Sequence, residues 1–426
     1  MVFGVVLTRT ARCGVVAVVA CAANLSLAQS TSNGQTESET VAVLIRGLGA
    51  PAFSQREQAS RQLLALGNAA RDQLSAIGND ASPETRKRVD WILARIETED
   101  LEKVASSFLL DPDASASHGL PAWSQFRELA GDSRTSKLLF LESVKCQREL
   151  LTEIESFSTQ QIATPESQRH LAAVASNAAI LIQREQMSMS EPRIGDFVGL
   201  LLATSTFERT TPILVTETIE THVDRFIFTQ FLHKQGYGSC LKKMLAVWVP
   251  KTHDSIAPRM MDLSLRHDIP SVVAIARQQL LPTRDTQTRH LALSCLLRFG
   301  NESDLPLIAS MLSDRAIVYS WTADDMRSFS GNSQIEVFND PPPGYQEDNS
   351  VPAQRFVVQM RDIALATILH LSGESHPEKY FPGYRASSVD GFDRYSIATP
   401  LGQDELHDQR IELWKRENAL PASVPQ

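Results

Sequence analysis

Residues Asp285–Leu312 read DTQTRHLALSCLLRFGNESDLPLIASML. Ala292, Cys295, Leu296 and Phe299 recur at the i, i+3, i+4, i+7 spacing of one helix face, which predicts an amphipathic helix. Gly300 is expected to end it, as a residue free to take the left-handed conformation that closes helices. Ser303 or Asp304 then caps a second helix with Pro306 in its first turn, and Leu305, Ile308 and Leu312 give that helix its own stripe. Alone, such a hairpin cannot fold. Each ordered residue costs about 1–2 kcal/mol of backbone entropy, and each buried Leu contributes only about 2 kcal/mol in return. It must stack on neighbours, so the expected fold is all-α and built from repeated hairpins.

Working outward, the motif recurs. Leu63-Leu64-Ala65-Leu66-Gly67-Asn68 matches Leu296-Leu297-Arg298-Phe299-Gly300-Asn301 in type and order, and Ile368-Leu369-His370-Leu371-Ser372-Gly373 is a looser third copy. These stretches resemble HEAT-like repeats, in particular the phycobilisome-lyase type found in bacterial proteins; the match covers residues 37–99 and 269–373. RDIALATILHLSGES and ELWKREN are similar to the end of a family of exported bacterial HEAT-containing proteins. The resemblance implies an armadillo-type α-solenoid that serves as a scaffold or adaptor. Its lyase branch would imply chromophore or thioether handling.

The N-terminus carries Arg9 and Arg12, an apolar run Cys13–Ala23, and the small-x-small site Ser26-Leu27-Ala28. That pattern predicts a signal peptide over 1–28 and export to the periplasm or cell envelope. Val18-Val19-Ala20-Cys21 offers a competing lipobox, with Cys21 as a lipidation site and the membrane as a partner only in that case. The apolar run is too short to span a bilayer.

Residues 29–37 read as a flexible spacer. An N-terminal HEAT-like pair follows over 38–99, with a capping box at Ser54-Gln55-Arg56-Glu57 and a cap at Ser82-Pro83. Central degenerate repeats are expected over 100–268. Their faces are marked by Leu139, Ser143, Cys146, Leu150 and Ile154, then by Leu171, Val174, Ala178 and Leu181, with Pro192 and Gly195 as separators. The C-terminal HEAT-like region, 269–419, carries an irregular inserted loop at 313–352, with a β-prone run Gln334–Phe338, before a helix over Phe356–Leu371. On a solenoid such an insertion belongs to the binding edge, which nominates Asp324, Asp325, Phe338 and Tyr345 as partner-binding residues.

Chemistry is harder to find. The net charge of −9 gives no electrostatic support for nucleic acid. Ten histidines form no HExxH or paired motif, so no metal is expected, and His290, His370 and His376 read as surface or core residues. P-loop, GxGxxG and CxxCH sequences are absent, so no cofactor is expected. Gly236-Tyr237-Gly238-Ser239-Cys240 lacks the strand a nucleophile elbow needs, and leaves Cys240 as a candidate reactive thiol near a helix start. Cys146 and Cys295 read as buried apolar residues. The aromatic cluster Tyr380, Phe381, Tyr384, Phe392 and Tyr395 either packs the end of the stack or lines a groove. The function expected is non-enzymatic binding of protein partners, with no catalytic residues; the alternatives are a lipid-anchored envelope subunit and a lyase-like enzyme.

Overall fold

The computed structural model describes residues 38–77, 81–112, 116–160, 164–187, 193–208, 210–223, 225–322, 355–388 and 390–418. It is predominantly helical, and divides into two compact units, Met1–Pro112 and Asp113–Gln426.

The first unit contains α1 (38–47), α2 (Phe53–Leu66), α3 (Asn68–Ser75) and α4 (Pro83–Leu110). Val41, Leu48, Leu63, Leu74, Ile92 and Ile96 interlock as its core. Ser82 caps α4 by accepting the Thr85 N–H. The capping box expected at Ser54–Glu57 does not form, because α2 starts two residues earlier than that cap implies, at Phe53 with Ala52 as its N-cap. Glu57 instead pairs with Arg88 at 2.7 Å, and α4 runs past residue 99.

In the second unit α5 (Trp123–Ala130), α6 (Arg134–Thr159), α7 (Pro165–Met187), α8 (Ile194–Thr206), α9 (Ile213–Val223), α10 (Phe226–His233) and α11 (Tyr237–Trp248) come first. Helix α8 is buried on nearly every face and lies in the middle of this group, against α6, α7, α9 and α11. Its C-terminal carbonyls would be stranded there. The Lys251 ammonium answers them, donating to Thr204 O, Ser205 O and Phe207 O at 3.1, 3.0 and 2.6 Å. The inward face of α7 is rotated from the expected stripe: Leu171, Ala175, Ala178 and Ile182 are buried, whereas Leu181 is 58% exposed.

The chain then runs through α12 (Ala257–His267), α13 (Val273–Gln279), α14 (Thr286–Phe299), α15 (Leu305–Ala309), α16 (Met360–Leu371) and α17 (Asp404–Glu417). Helix α14 packs on α12 and α13 and on α16, and α16 also packs on α15. Ala292, Cys295 and Leu296 face inward from α14 as their spacing predicts, and Ile308 and Leu312 do so beyond the turn. The turn itself is built differently from expectation. Gly300 has φ −74°, not a left-handed value, so helix closure is not what requires a glycine. A Cβ there would lie 2.4 Å from Leu296 O and 3.1 Å from an Asp304 carboxylate oxygen. The cap is Asn301, whose side chain accepts the Ser303 N–H while Asp304 accepts the Asn301 N–H. Arg277 grips the buried Asp304 through two hydrogen bonds, at 2.6 and 3.2 Å.

The first part of the expected loop is regular. β1 (Ile317–Thr322) pairs antiparallel with β2 (Arg355–Gln359), and β2 with β5 (Thr399–Pro400), while β3 (Ala386–Ser387) and β4 (Gly391–Phe392) form a short hairpin. Phe356 is therefore a buried strand residue, and the helix expected from that position begins at Met360, where Gln359 and Asp362 form a capping box. The run Gln334–Phe338 lies outside the described residues.

Candidate functional site

An open cleft of about 800 Å³ lies along α14 in the second unit. Its walls come from the end of α12, from α16, from β1 and from the β3–β4 hairpin. Gly391, at φ +73°, brings the hairpin down onto α14, since a Cβ at that position would sit 2.8 Å from a Leu297 methyl. Apolar Leu291, Leu297 and Phe392 share the lining with Arg266, Arg298 and Arg394 and with one carboxylate, Asp390, so arginines outnumber acids three to one.

At one end of the cleft three side chains from distant segments meet. His290 Nε2 and Tyr319 Oη are 2.9 Å apart, and Arg394 Nη1 donates to the same phenol oxygen at 2.9 Å. The Arg394 guanidinium stands 4.9 Å from the Tyr319 ring centroid, and the His290 ring meets that ring edge-on at 5.2 Å. Trp321 and Tyr395 continue the aromatic row behind it.

Burial raises the Tyr319 pKa, with Arg394 offsetting part of the effect, so the phenol is protonated at neutral pH. Burial, reinforced by Arg394, lowers His290 to about 4, so the imidazole is neutral. The phenol proton then donates to Nε2, which leaves the imidazole proton on Nδ1, a buried atom with no hydrogen-bond partner among the described residues. The group carries one formal charge, that of Arg394. Among the described residues Arg394 has no carboxylate partner; Arg298, at the other end of α14, donates to Leu265 O at 3.1 Å and to Asp268 at 3.4 Å. Such a lining suits an anionic ligand with apolar surface between its charges.

The imidazole makes stability depend on pH, with a definite sign. Folding holds His290 neutral, while the unfolded chain takes up a proton near pH 6.5. This contribution is intact above about pH 6.5 and is lost as pH falls towards 4. Between pH 7.5 and 5 the loss is up to about 2 kcal/mol. Urea unfolding of the wild type and of His290→Gln at both pH values isolates it, and equal slopes in the two proteins would sink this reading.

His290 and His370, both read as bland, line the cleft. The partner of His290, Tyr319, lies on a strand 29 residues further on, so no local pattern marks it. His376 is exposed and pairs with Glu378 at 2.9 Å. The aromatic cluster splits between its two readings: Tyr380 and Phe381 are core residues, and Phe392 lines the cleft. Cys240 is 4% exposed, 3.1 Å from the Ser136 hydroxyl, and its thiol donates to Ala130 O at 3.8 Å. That burial removes it as a reactive thiol. Cys146, half-buried, and Cys295, fully buried, are also free; burial raises them to about 11 and about 12, and both stay protonated.

Asp324, Asp325, Phe338, Tyr345 and Cys21 lie outside the described residues. Among the described residues no group of three or more His, Cys, Asp or Glu is placed to hold a metal ion, and no helix is long and apolar enough to cross a membrane. No family model, curated protein or solved structure matches the chain.

Proposed function

We propose that this protein is a non-enzymatic binding scaffold of the bacterial periplasm or cell envelope, whose helical hairpins form a HEAT-like α-solenoid. One observation carries the reading: the cleft along α14 is open, about 800 Å³ in volume, and its lining combines apolar side chains with three arginines, one carboxylate and several neutral polar groups. A surface of that composition takes a partner's side chains without altering them. The packing of α14 between α12 and α16 supports the solenoid, because helices in one row of such a stack meet in this order. Export rests on the leader residues 1–28.

Site-specific photo-cross-linking in the native host tests the reading. A benzophenone side chain at Ser294, in the cleft, is expected to give discrete protein adducts that the same group at exposed Glu302 does not give. Identical adducts from both positions, or none from Ser294, would overturn it.

A further inference from the structure

We propose, resting on the scaffold reading, that the cleft receives an extended acidic segment of the partner, with two carboxylates four residues apart and apolar side chains between them. The geometry has two cationic poles. Arg394 stands at one, fixed beside His290 through Tyr319, and Arg298 with Arg266 at the other. Eight residues of α14 separate His290 from Arg298, roughly 12 Å at 1.5 Å per residue. An extended strand covers roughly 13 Å in four residues, so acidic side chains at i and i+4 reach both poles. Those side chains point to the same face of the strand, as the cleft requires.

The poles differ in strength. Arg394 spends one nitrogen on the Tyr319 oxygen, and its Nε–Nη2 edge matches a carboxylate in bidentate fashion. The phenol and imidazole behind it are neutral and hold the guanidinium in place without cancelling its charge; Asp390, on the same lining, makes no ion pair with it among the described residues and offsets only part of the positive field. Arg298 is shared with Asp268 and Arg266 is paired with Asp262 at 2.9 Å, so the second pole is the weaker one. Between the poles Leu297 and Phe392, brought together at Gly391, form an apolar floor. A small dicarboxylate such as glutarate is too short to reach both poles.

The test is a titration of the full chain with acetyl-Glu-Leu-Phe-Ser-Glu-amide, followed by fluorescence anisotropy of a labelled copy. Controls are the same residues with the two acids adjacent, the Gln-for-Glu analogue, and free glutarate. The spaced peptide is expected to bind about tenfold more tightly than either peptide control, about 1.4 kcal/mol. Arg394→Gln is expected to lose about tenfold and Arg298→Gln less, with thermal melting used to verify that both variants fold. Equal binding of the adjacent-acid or Gln peptide would overturn the proposal. Silence from all peptides would overturn it too, while Ser294 adducts would leave the scaffold reading standing. Glutarate binding that is lost in Arg394→Gln would overturn both in favour of a small-carboxylate site.

Discussion

Replacing Arg361 with alanine is expected to lower the stability of the second unit by about 3–4 kcal/mol, read as a shift of the urea midpoint at constant slope. The guanidinium is 1% exposed, and it donates to Gln359 at 2.6 Å, to Asp404 at 2.8 Å and to Asp408. These bonds tie the start of α16 to the closing helix α17. Next to them Asp362 accepts the Gln359 N–H at 2.8 Å and meets His407 Nδ1 at 2.6 Å, both side chains being buried. Two losses add in the alanine variant: a cavity of nearly a whole arginine, and charge-assisted bonds worth about 1.5–3 kcal/mol each before rehydration. Rehydration limits the total, since Asp404 and Asp408 are 55% and 49% exposed and regain water once the arginine is gone. Arg361→Met separates the two losses. It restores volume without charge and is expected to recover more than half of the deficit. If methionine is as damaging as alanine, the ion network rather than the packing holds α17.

These contacts also show why some of the molecule was legible in its sequence and some was not. The helices of 285–312 follow from a stripe with period 3.6, a signal contained within one turn of chain. Arg361 and Asp362 begin such a helix, yet their partners on α17 lie more than forty residues further on, where no periodicity points. The sheet is hidden in the sequence for a related reason. Ile317–Thr322 reads IVYSWT, a β-branched and aromatic run that carries a strand signal by itself. Its partner begins at Arg355, and the helical periodicity on either side assigns the first strand to a loop and the second to the next helix. Tyr319 and Arg394 reach His290 only because this sheet and the β3–β4 hairpin exist. Missing the strands therefore hid the site.

Glycine 195 is where local reading and tertiary packing diverge most, and Gly195→Ala is expected to cost about 3 kcal/mol or more. In the sequence it reads as a helix separator. In the fold it is the second residue of α8, in the first turn of the helix, where the backbone conformation by itself would accept alanine. The cost arises because α6 crosses at this point. A Cβ on Gly195 would stand 2.0 Å from Glu142 O, 2.5 Å from the Glu142 carbonyl carbon and 2.8 Å from Cys146 Sγ. The first two are backbone atoms and cannot swing aside as a side-chain end would. One turn on, Gly199 meets Gln147 Cβ in the same way, at 2.9 Å, and Gln147 is where α6 departs from helical geometry. Gln147 then donates to the buried Asp196 at 2.7 Å, with Arg193 closing the pair at 3.0 Å. An alanine at 195 must push the two helices apart and stretch these bonds, so the expected cost lies at or above the usual 1–3 kcal/mol for overpacking. Chemical denaturation of the variant measures it directly. A loss below 1 kcal/mol would mean that α8 shifts along α6 without strain, and that the close crossing is not what holds the central helices together.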